Sequence, residues 1–284
     1  MARFDAYSVL MSVYSREKPQ YLRQAIDSMF SQTVCTDDFV LVCDGPLSDE
    51  LEEVVYHMQE QYGDVFHVVR LEKNSGLGNA LNVGMEFCKY EMIARMDSDD
   101  ISYPDRCERQ LAEFDRDPGL SVVSGTIQEF TSSPEKINAW RVLPNTQAGI
   151  LNFAKRRNPF NHPCVMYRKS AVKDAGGYQD FYLLEDYYLW IRMLLIGCQG
   201  YNIREPLLWM RAGSDMYRRR AGWKYARSQM QLFSYMERQG FISRSECIRS
   251  SLIRAASSIA PNQVRESVFQ RLLRTGDGGT EDKM

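Results

Sequence analysis

The sequence predicts an α/β fold: a mainly parallel sheet with helices on both faces. Two observations carry this. Four short apolar runs in the first hundred residues alternate with segments whose apolar residues recur at helical spacing. The second run is stopped by Asp44-Gly45-Pro46 and the fourth ends at Asp97, residues that turn a chain. Strand and helix in strict alternation imply parallel strands joined by crossover helices. A third observation sets the scale. The 284 residues are 44% apolar and 25% charged, enough for one large domain plus an appendage.

The elements follow in order. Tyr7 to Val13 reads as a buried strand. Pro19 opens a helix, at a position where its missing N–H costs nothing, and Tyr21 to Phe30 continues it. Phe39 to Cys43 is the second strand, stopped by Asp44-Gly45-Pro46. A helix from Leu51 to Tyr62 ends at Gly63, and Phe66 to Leu71 is the third strand. Gly78 to Lys89 is a helix and Glu91 to Met96 the fourth strand. Pro104-Asp105-Arg106 opens a helix through Phe114, and Leu120 to Phe130 reads as a region of paired strands. The polar segment 131–160 reads as loops around a helix near 145–156. Cys164 to Tyr167 is a short strand, Glu185 to Ile196 a helix closed by Gly197, and Tyr201 to Met210 a last strand. The expected organisation is a catalytic domain over 1–215, a basic helical extension over 216–275 and a disordered polar tail over 276–284.

Ligands of such sheets bind at the carboxyl ends of the strands. Ser12 and Tyr14, Asp44, Asn74, and Asp97-Ser98-Asp99-Asp100 each follow a different strand, so the topology gathers them on one edge. The acidic tetrad is the sharpest of these signals. Adjacent carboxylates at a strand end repel one another, and burial raises that cost. A divalent cation shared with a diphosphate would turn the cost into a function. The plain alternative is a solvated turn with a helix cap.

Composition narrows the field. No apolar run is long enough to span a bilayer, and Met1-Ala2-Arg3-Phe4-Asp5 lacks the apolar core of a signal peptide. Seven scattered cysteines without CxxC spacing argue against a disulfide framework or a zinc cluster and for a reducing cytoplasm. Three histidines leave little room for a multi-histidine metal site. The net charge of −2 hides an asymmetry: residues 201–275 hold fourteen Lys and Arg against five Asp and Glu. A basic end on an acidic body suits an anionic lipid surface or a phosphorylated lipid, and no nucleic-acid partner is expected. Solvated helices packed on the body or on a second subunit are the alternative.

Taken in order, Ser12-Val13-Tyr14-Ser15, Cys43-Asp44-Gly45, Asn74-Ser75-Gly76 with Ala80-Leu81-Asn82, Asp97-Ser98-Asp99-Asp100 and Glu185-Asp186 resemble glycosyltransferase family 2, the inverting enzymes of GT-A fold. Arg95 to Ser102, Asn161-His162-Pro163 and Glu185 to Trp190 are similar to the bacterial exopolysaccharide and capsule transferases, the amylovoran type among them. The resemblance covers roughly residues 5–215 and implies the following roles. Ser12 and Tyr14 line the nucleotide pocket, and Asp44 hydrogen-bonds the base. The family often carries Asp-Asp-Gly-Ser where this chain has Cys43-Asp44-Gly45-Pro46. Asn74 and Gly76 shape the wall beside ribose and phosphates. Arg95 pairs with a carboxylate or reaches a phosphate. Asp99 contacts Mn²⁺ or Mg²⁺, and Asp97 contacts ribose or metal-bound water. Asp100 caps the following turn. Asp186 is the base that deprotonates the acceptor hydroxyl, with Glu185 its alternative or partner.

The implied donor is a nucleoside diphosphate sugar, UDP-linked, and the implied acceptor a saccharide on a polyprenyl diphosphate at the inner face of the cell membrane. Taken alone, Asp44-Gly45 is also an ordinary turn, and Glu185-Asp186 an acidic first helical turn. The aromatic set Tyr178, Phe181, Tyr182, Tyr187, Tyr188 and Trp190 divides between an acceptor wall and plain core, and His162 is a further candidate near the phosphates. Two other readings stay open. A nucleotidyltransferase of the same fold would want a Gly-rich basic loop after the first strand, where Tyr14-Ser15-Arg16-Glu17-Lys18 has no glycine. A silent nucleotide-sugar-binding scaffold is the other.

Overall fold

The computed structural model describes residues 4–213 and 222–259. Its first half is the expected alternation: β1 (Tyr7–Val13), α1 (Pro19–Phe30), β2 (Phe39–Cys43), α2 (Asp49–Tyr62), β3 (Phe66–Arg70), α3 (Leu77–Phe87) and β4 (Met92–Asp97). After a two-residue strand β5 (Ile101–Ser102) come α4 (Arg106–Arg116), β6 (Leu120–Phe130), β7 (Ile137–Arg141) and α5 (Gln147–Ala154). β8 (Met166–Arg168), α6 (Lys169–Asp174), α7 (Glu185–Leu195) and β9 (Gln199–Arg211) complete the body, and α8 (Trp223–Arg238) and α9 (Arg244–Ile259) follow.

The strands form one sheet in the order β3-β2-β1-β4-β8-β6-β9-β5, with β7 paired to β6. β3, β2, β1 and β4 are mutually parallel. β8 then runs antiparallel to both β4 and β6, while β6 and β9 are parallel. From β1 the chain steps outward to β2 and β3, then crosses back to place β4 on the other side of β1. That reversal opens a crevice beyond the carboxyl ends of β1 and β4, where ligands of open α/β sheets bind.

The period-two alternation of the strands decides which helices cover which face. Val9, Met11 and Leu41 point into one layer with Leu22 and Ile26 of α1, Leu51 and Val55 of α2 and Leu111 of α4. Leu10, Val40, Val42 and Ile93 point into the other with Ala80, Leu81 and Met85 of α3 and Leu189, Trp190 and Met193 of α7. Leu232, Phe233 and Met236 of α8 belong to that second layer, so the extension packs on the body instead of standing apart. Helix starts follow local chemistry. The Ser48 hydroxyl accepts from the Leu51 N–H ahead of the acidic first turn of α2, and Thr146 does the same for Gly149 at α5.

Two segments differ from their sequence reading. Leu120–Phe130 is one continuous strand of 11 residues, and its hairpin partner β7 lies in the segment read as loops. The alternating burial of Ile137–Arg141 is too brief to stand out among its polar neighbours. α6 follows β8 without a linker and was not expected. The boundary at 215/216, Arg218-Arg219-Arg220 and the tail 276–284 lie outside the described residues. All seven cysteines are free. Among the described residues no helix is long and apolar enough to cross a membrane.

Candidate active site

The crevice deepens into a cleft of about 890 Å³. Ser12, Tyr14, Asp44, Asn74, Gly76, Arg95, Asp97, Asp99, Glu185 and Asp186 all line it, whereas Phe181, Tyr182, Tyr188 and Trp190 do not.

Asp44 sits at the end of β2 and organises the loop after β3. Its Oδ1 accepts from the Ser75 N–H (2.7 Å) and hydroxyl (3.0 Å), and its Oδ2 accepts from the Gly76 N–H (3.0 Å). Asn74 donates back to the Asp44 carbonyl (3.2 Å). The carboxylate therefore fixes the wall formed by Asn74 and Gly76. Two glycines allow the approach. Gly45 has φ +87°, and a Cβ there would lie 2.6 Å from the Asn74 nitrogen; Gly76, at φ +89°, starts α3.

β4 delivers the charged centre. Arg95 is 1% exposed and pairs with Asp97, while its Nε and Nη1 have no hydrogen-bond partner. Carboxylate oxygens of Asp97, Asp99 and Asp100 lie within 4.8 Å of one another. Burial, then the charges of Asp97 and Glu17, push the Asp99 carboxyl up to about 7. Burial, then the charges of Asp99 and Asp97, raise the Asp100 carboxyl well above the ordinary carboxylate range. Asp100 does not cap a turn: its Oδ1 accepts from the Arg211 N–H of β9 (2.8 Å), tying β9 to the cluster. Three crowded carboxyls that one buried arginine does not neutralise suit a hard divalent cation with oxygen ligands. The donor set of Asp97, Asp99 and Asp100 thus fits Mg²⁺ or Mn²⁺.

Glu17, which sequence reasoning passed over, accepts from the Ser98 hydroxyl (2.8 Å) and steadies this turn. Nothing in its local pattern distinguishes it from an exposed helix-flanking acid.

α7 presents Glu185 and Asp186 to the same cleft in its first turn. The turn before it holds Leu183 at φ +58°, the single non-glycine with positive φ among the described residues. Such strain persists only where the surroundings impose it, and here it aims the helix start at the cleft. Asp186 Oδ2 accepts from the Asn158 side chain (2.6 Å), and its Oδ1 accepts from the Tyr187 N–H (2.7 Å). Asn158 is the second residue that sequence reasoning missed; it lies in the polar segment before Pro159, where no spacing marks it. Glu185 is pushed up to about 7 by burial and by the nearby Asp186 and Asp180.

His162 is buried, and burial together with the Arg95 charge lowers its pKa, so the ring is neutral; its Nε2 meets the Tyr178 hydroxyl at 2.9 Å. The aromatic set divides. Trp190 is wholly buried core, Tyr178 and Tyr187 are buried yet face the cleft, and Tyr182 stays exposed. Phe153, Arg157, Tyr225, Gln229 and Arg254 also line the cleft.

The family model of Glycosyl transferase family 2 matches residues 8–176. A relative from Erwinia amylovora, "Amylovoran biosynthesis glycosyltransferase AmsE", is 38% identical over 268 residues, 93% of this chain and 98% of that one. An Escherichia coli relative, "UDP-Gal:alpha-D-GlcNAc-diphosphoundecaprenol beta-1,3-galactosyltransferase", is 33% identical, covering 94% of this chain and 96% of its own. Among solved structures, S. aureus TarS 1-349 in complex with UDP-GlcNAc superposes with a TM-score of 0.66 at 17% identity, over 95% of this chain and 76% of that one. A mannosyltransferase from Pyrobaculum calidifontis in complex with GDP-Man and Mn²⁺ gives 0.64 at 13%, over 95% and 81%. These structural likenesses show the GT-A fold, while the family model and the near full-length relatives carry the assignment to a family. The chain belongs to glycosyl transferase family 2.

Proposed function

We propose that this glycosyltransferase is metal-dependent and inverting, and that it moves one sugar from a UDP-linked donor onto a saccharide carried on a polyprenyl diphosphate during assembly of a bacterial surface polysaccharide. The observation that carries the reading is that the clustered carboxyls of Asp97, Asp99 and Asp100 line the same cleft as Asp186.

Bound Mg²⁺ or Mn²⁺ would neutralise charge on the donor diphosphate as the bond to the sugar breaks. Asp97 and Asp99 would hold that ion, with Asp100 behind them. Arg95 keeps two buried N–H-bearing nitrogens without partners and would donate to the leaving diphosphate, where charge develops. Ser12, Tyr14 and the Asp44-held loop of Asn74 and Gly76 would bound the nucleoside. Asp186 accepts the proton of the acceptor hydroxyl while that oxygen attacks the anomeric carbon from the side opposite the diphosphate, which inverts the centre. Asn158 orients the carboxylate for this task. Glu185 faces the same cleft and is the second proton acceptor to test.

The printed name of the E. coli relative, with UDP-Gal as donor and a diphosphoundecaprenol-linked acceptor, supports the choice of both substrates. A cytoplasmic site at the inner membrane face accords with α9. Its outward side exposes Ile248 (53%), Leu252 (67%) and Ile253 (61%) beside exposed Arg244 and Arg249, which suits peripheral contact with an anionic leaflet.

The test is transfer from radiolabelled UDP-hexoses to sugar-diphosphoundecaprenol acceptors. Asp186→Asn should lower turnover on the order of 10²- to 10⁴-fold while UDP binding persists. Retained turnover would move the base to Glu185.

A further inference from the structure

The cleft holds a feature that the donor site does not use. Arg157 lies just beyond α5, half-buried, and its side chain faces the cleft. Among the described residues its guanidinium has neither a hydrogen bond nor an ion pair. Burial and the charge of Arg254 both lower its pKa, so the two cations stand close enough to repel. Arg254 reaches the cleft from α9 and donates to the Arg156 carbonyl (2.7 Å). A half-buried guanidinium beside a like charge is held at a cost that an anion on Arg157 would relieve. The structure retains this pair at the mouth of a substrate cleft, one residue from Asn158, which holds Asp186.

We propose that Arg157, with Arg254, forms an anion subsite that binds the phosphate groups of the acceptor, and so places the acceptor sugar against Asp186. This rests on the transferase reading of the same cleft. In a sugar 1-diphosphate the charge sits at the reducing end and the reactive hydroxyl across the ring. An anion site on Arg157, next to the residue that orients Asp186, would hold the charged end while the hydroxyl meets the base. The carboxylate cluster serves a different diphosphate, the donor's. Arginine suits the task because its planar fork pairs two donors with two phosphate oxygens. Tyr225 and Phe153 beside it offer faces for the sugar or the first isoprenes.

Farnesyl diphosphate is the probe, titrated into the full chain in EDTA so that the carboxylate cluster cannot recruit it through a metal. Farnesol and vesicles containing phosphatidylglycerol are parallel probes. UDP with Mn²⁺ is titrated separately as a control on the donor site. The expected result is that wild type binds farnesyl diphosphate, that Arg157→Gln weakens this at least tenfold, and that Arg157→Lys recovers part of it. UDP binding should be equal in all three proteins, which also shows that they are folded. In transfer assays Arg157→Gln should raise KM for a diphosphate-linked acceptor and leave KM for an alkyl glycoside of the same sugar unchanged.

Equal farnesyl diphosphate affinity in wild type and Arg157→Gln would overturn the proposal. So would equal binding of farnesol, or a loss confined to the anionic vesicles, which would make the pair a membrane contact. Failure of wild type to bind UDP with Mn²⁺ would strike the donor reading, and it is scored apart from the farnesyl diphosphate arm.

Discussion

At the scale of single residues, Asp186 illustrates why type and position alone understate a site. An acidic pair in a first helical turn is favourable through the helix dipole whatever the protein does. What sets this pair apart is a bond from Asn158, 28 residues earlier, at 2.6 Å. Hydrogen bonds to charged groups are worth about 1.5–3 kcal/mol. Asn158→Ala should therefore lower kcat by roughly 10- to 100-fold with little change in UDP affinity, measured by transfer kinetics beside UDP titration. The sequence made Asp97, Asp99 and Asp186 readable because charge at a strand end or helix start is unusual enough to need a reason. Glu17, Arg157 and Asn158 were not readable, because only the fold brings them to the cleft. Asp44 lies between. Its position was evident, yet its carboxylate turns inward to hold Ser75 and Gly76. Asp44→Asn should thus loosen the nucleoside wall as well as alter any contact with the base.

At the scale of elements, apolar periodicity located β1 to β4 and the helices between them because each is buried along a whole face or stripe. It missed β7, whose five residues alternate only partly, and it treated the C-terminal helices as an appendage. α8 shows why that was incomplete. Leu232 is 1% exposed and Phe233 2%, both packed in the layer that holds Leu189 and Trp190 of α7, and Tyr235 meets Tyr188 edge-on, so α8 braces the helix that carries Asp186. Phe233→Ala should cost about 3–5 kcal/mol of stability. Chemical denaturation would show it as a lowered midpoint, with the loss of transfer exceeding the loss of UDP binding. Gly45→Ala is a second test. Positive φ and a 2.6 Å approach to Asn74 leave no room for a methyl group, so UDP affinity should fall through distortion of the loop.

For the whole molecule, the cleft stores unfavourable charge that ligands relieve. Asp99 and Glu185 are each pushed up to about 7, above the values near 4 that they take in an unfolded chain. Between those limits the folded protein binds more protons than the unfolded one. Their contribution to stability is therefore full at low pH and is lost as pH rises through about 7. The metal-free protein should melt at a lower temperature at pH 8 than at pH 6, with the drop in Tm reduced by Glu185→Gln. Added Mn²⁺ should raise Tm more at pH 8 than at pH 6, because it binds ionised carboxylates. Calorimetric melting at the two pH values, with and without Mn²⁺, checks both signs.

The central claim is that one cleft joins a metal-held nucleoside diphosphate to the base on α7, and calorimetric titration of UDP tests it most directly. Wild type is titrated with and without Mn²⁺, then Asp99→Ala and Asp186→Asn with Mn²⁺, with GDP as the comparison nucleotide. The account predicts UDP binding by wild type that depends on Mn²⁺, its loss in Asp99→Ala and its retention in Asp186→Asn, with GDP weaker throughout. Binding of UDP by Asp99→Ala at the wild-type level, or binding by wild type that is indifferent to the metal, would contradict it.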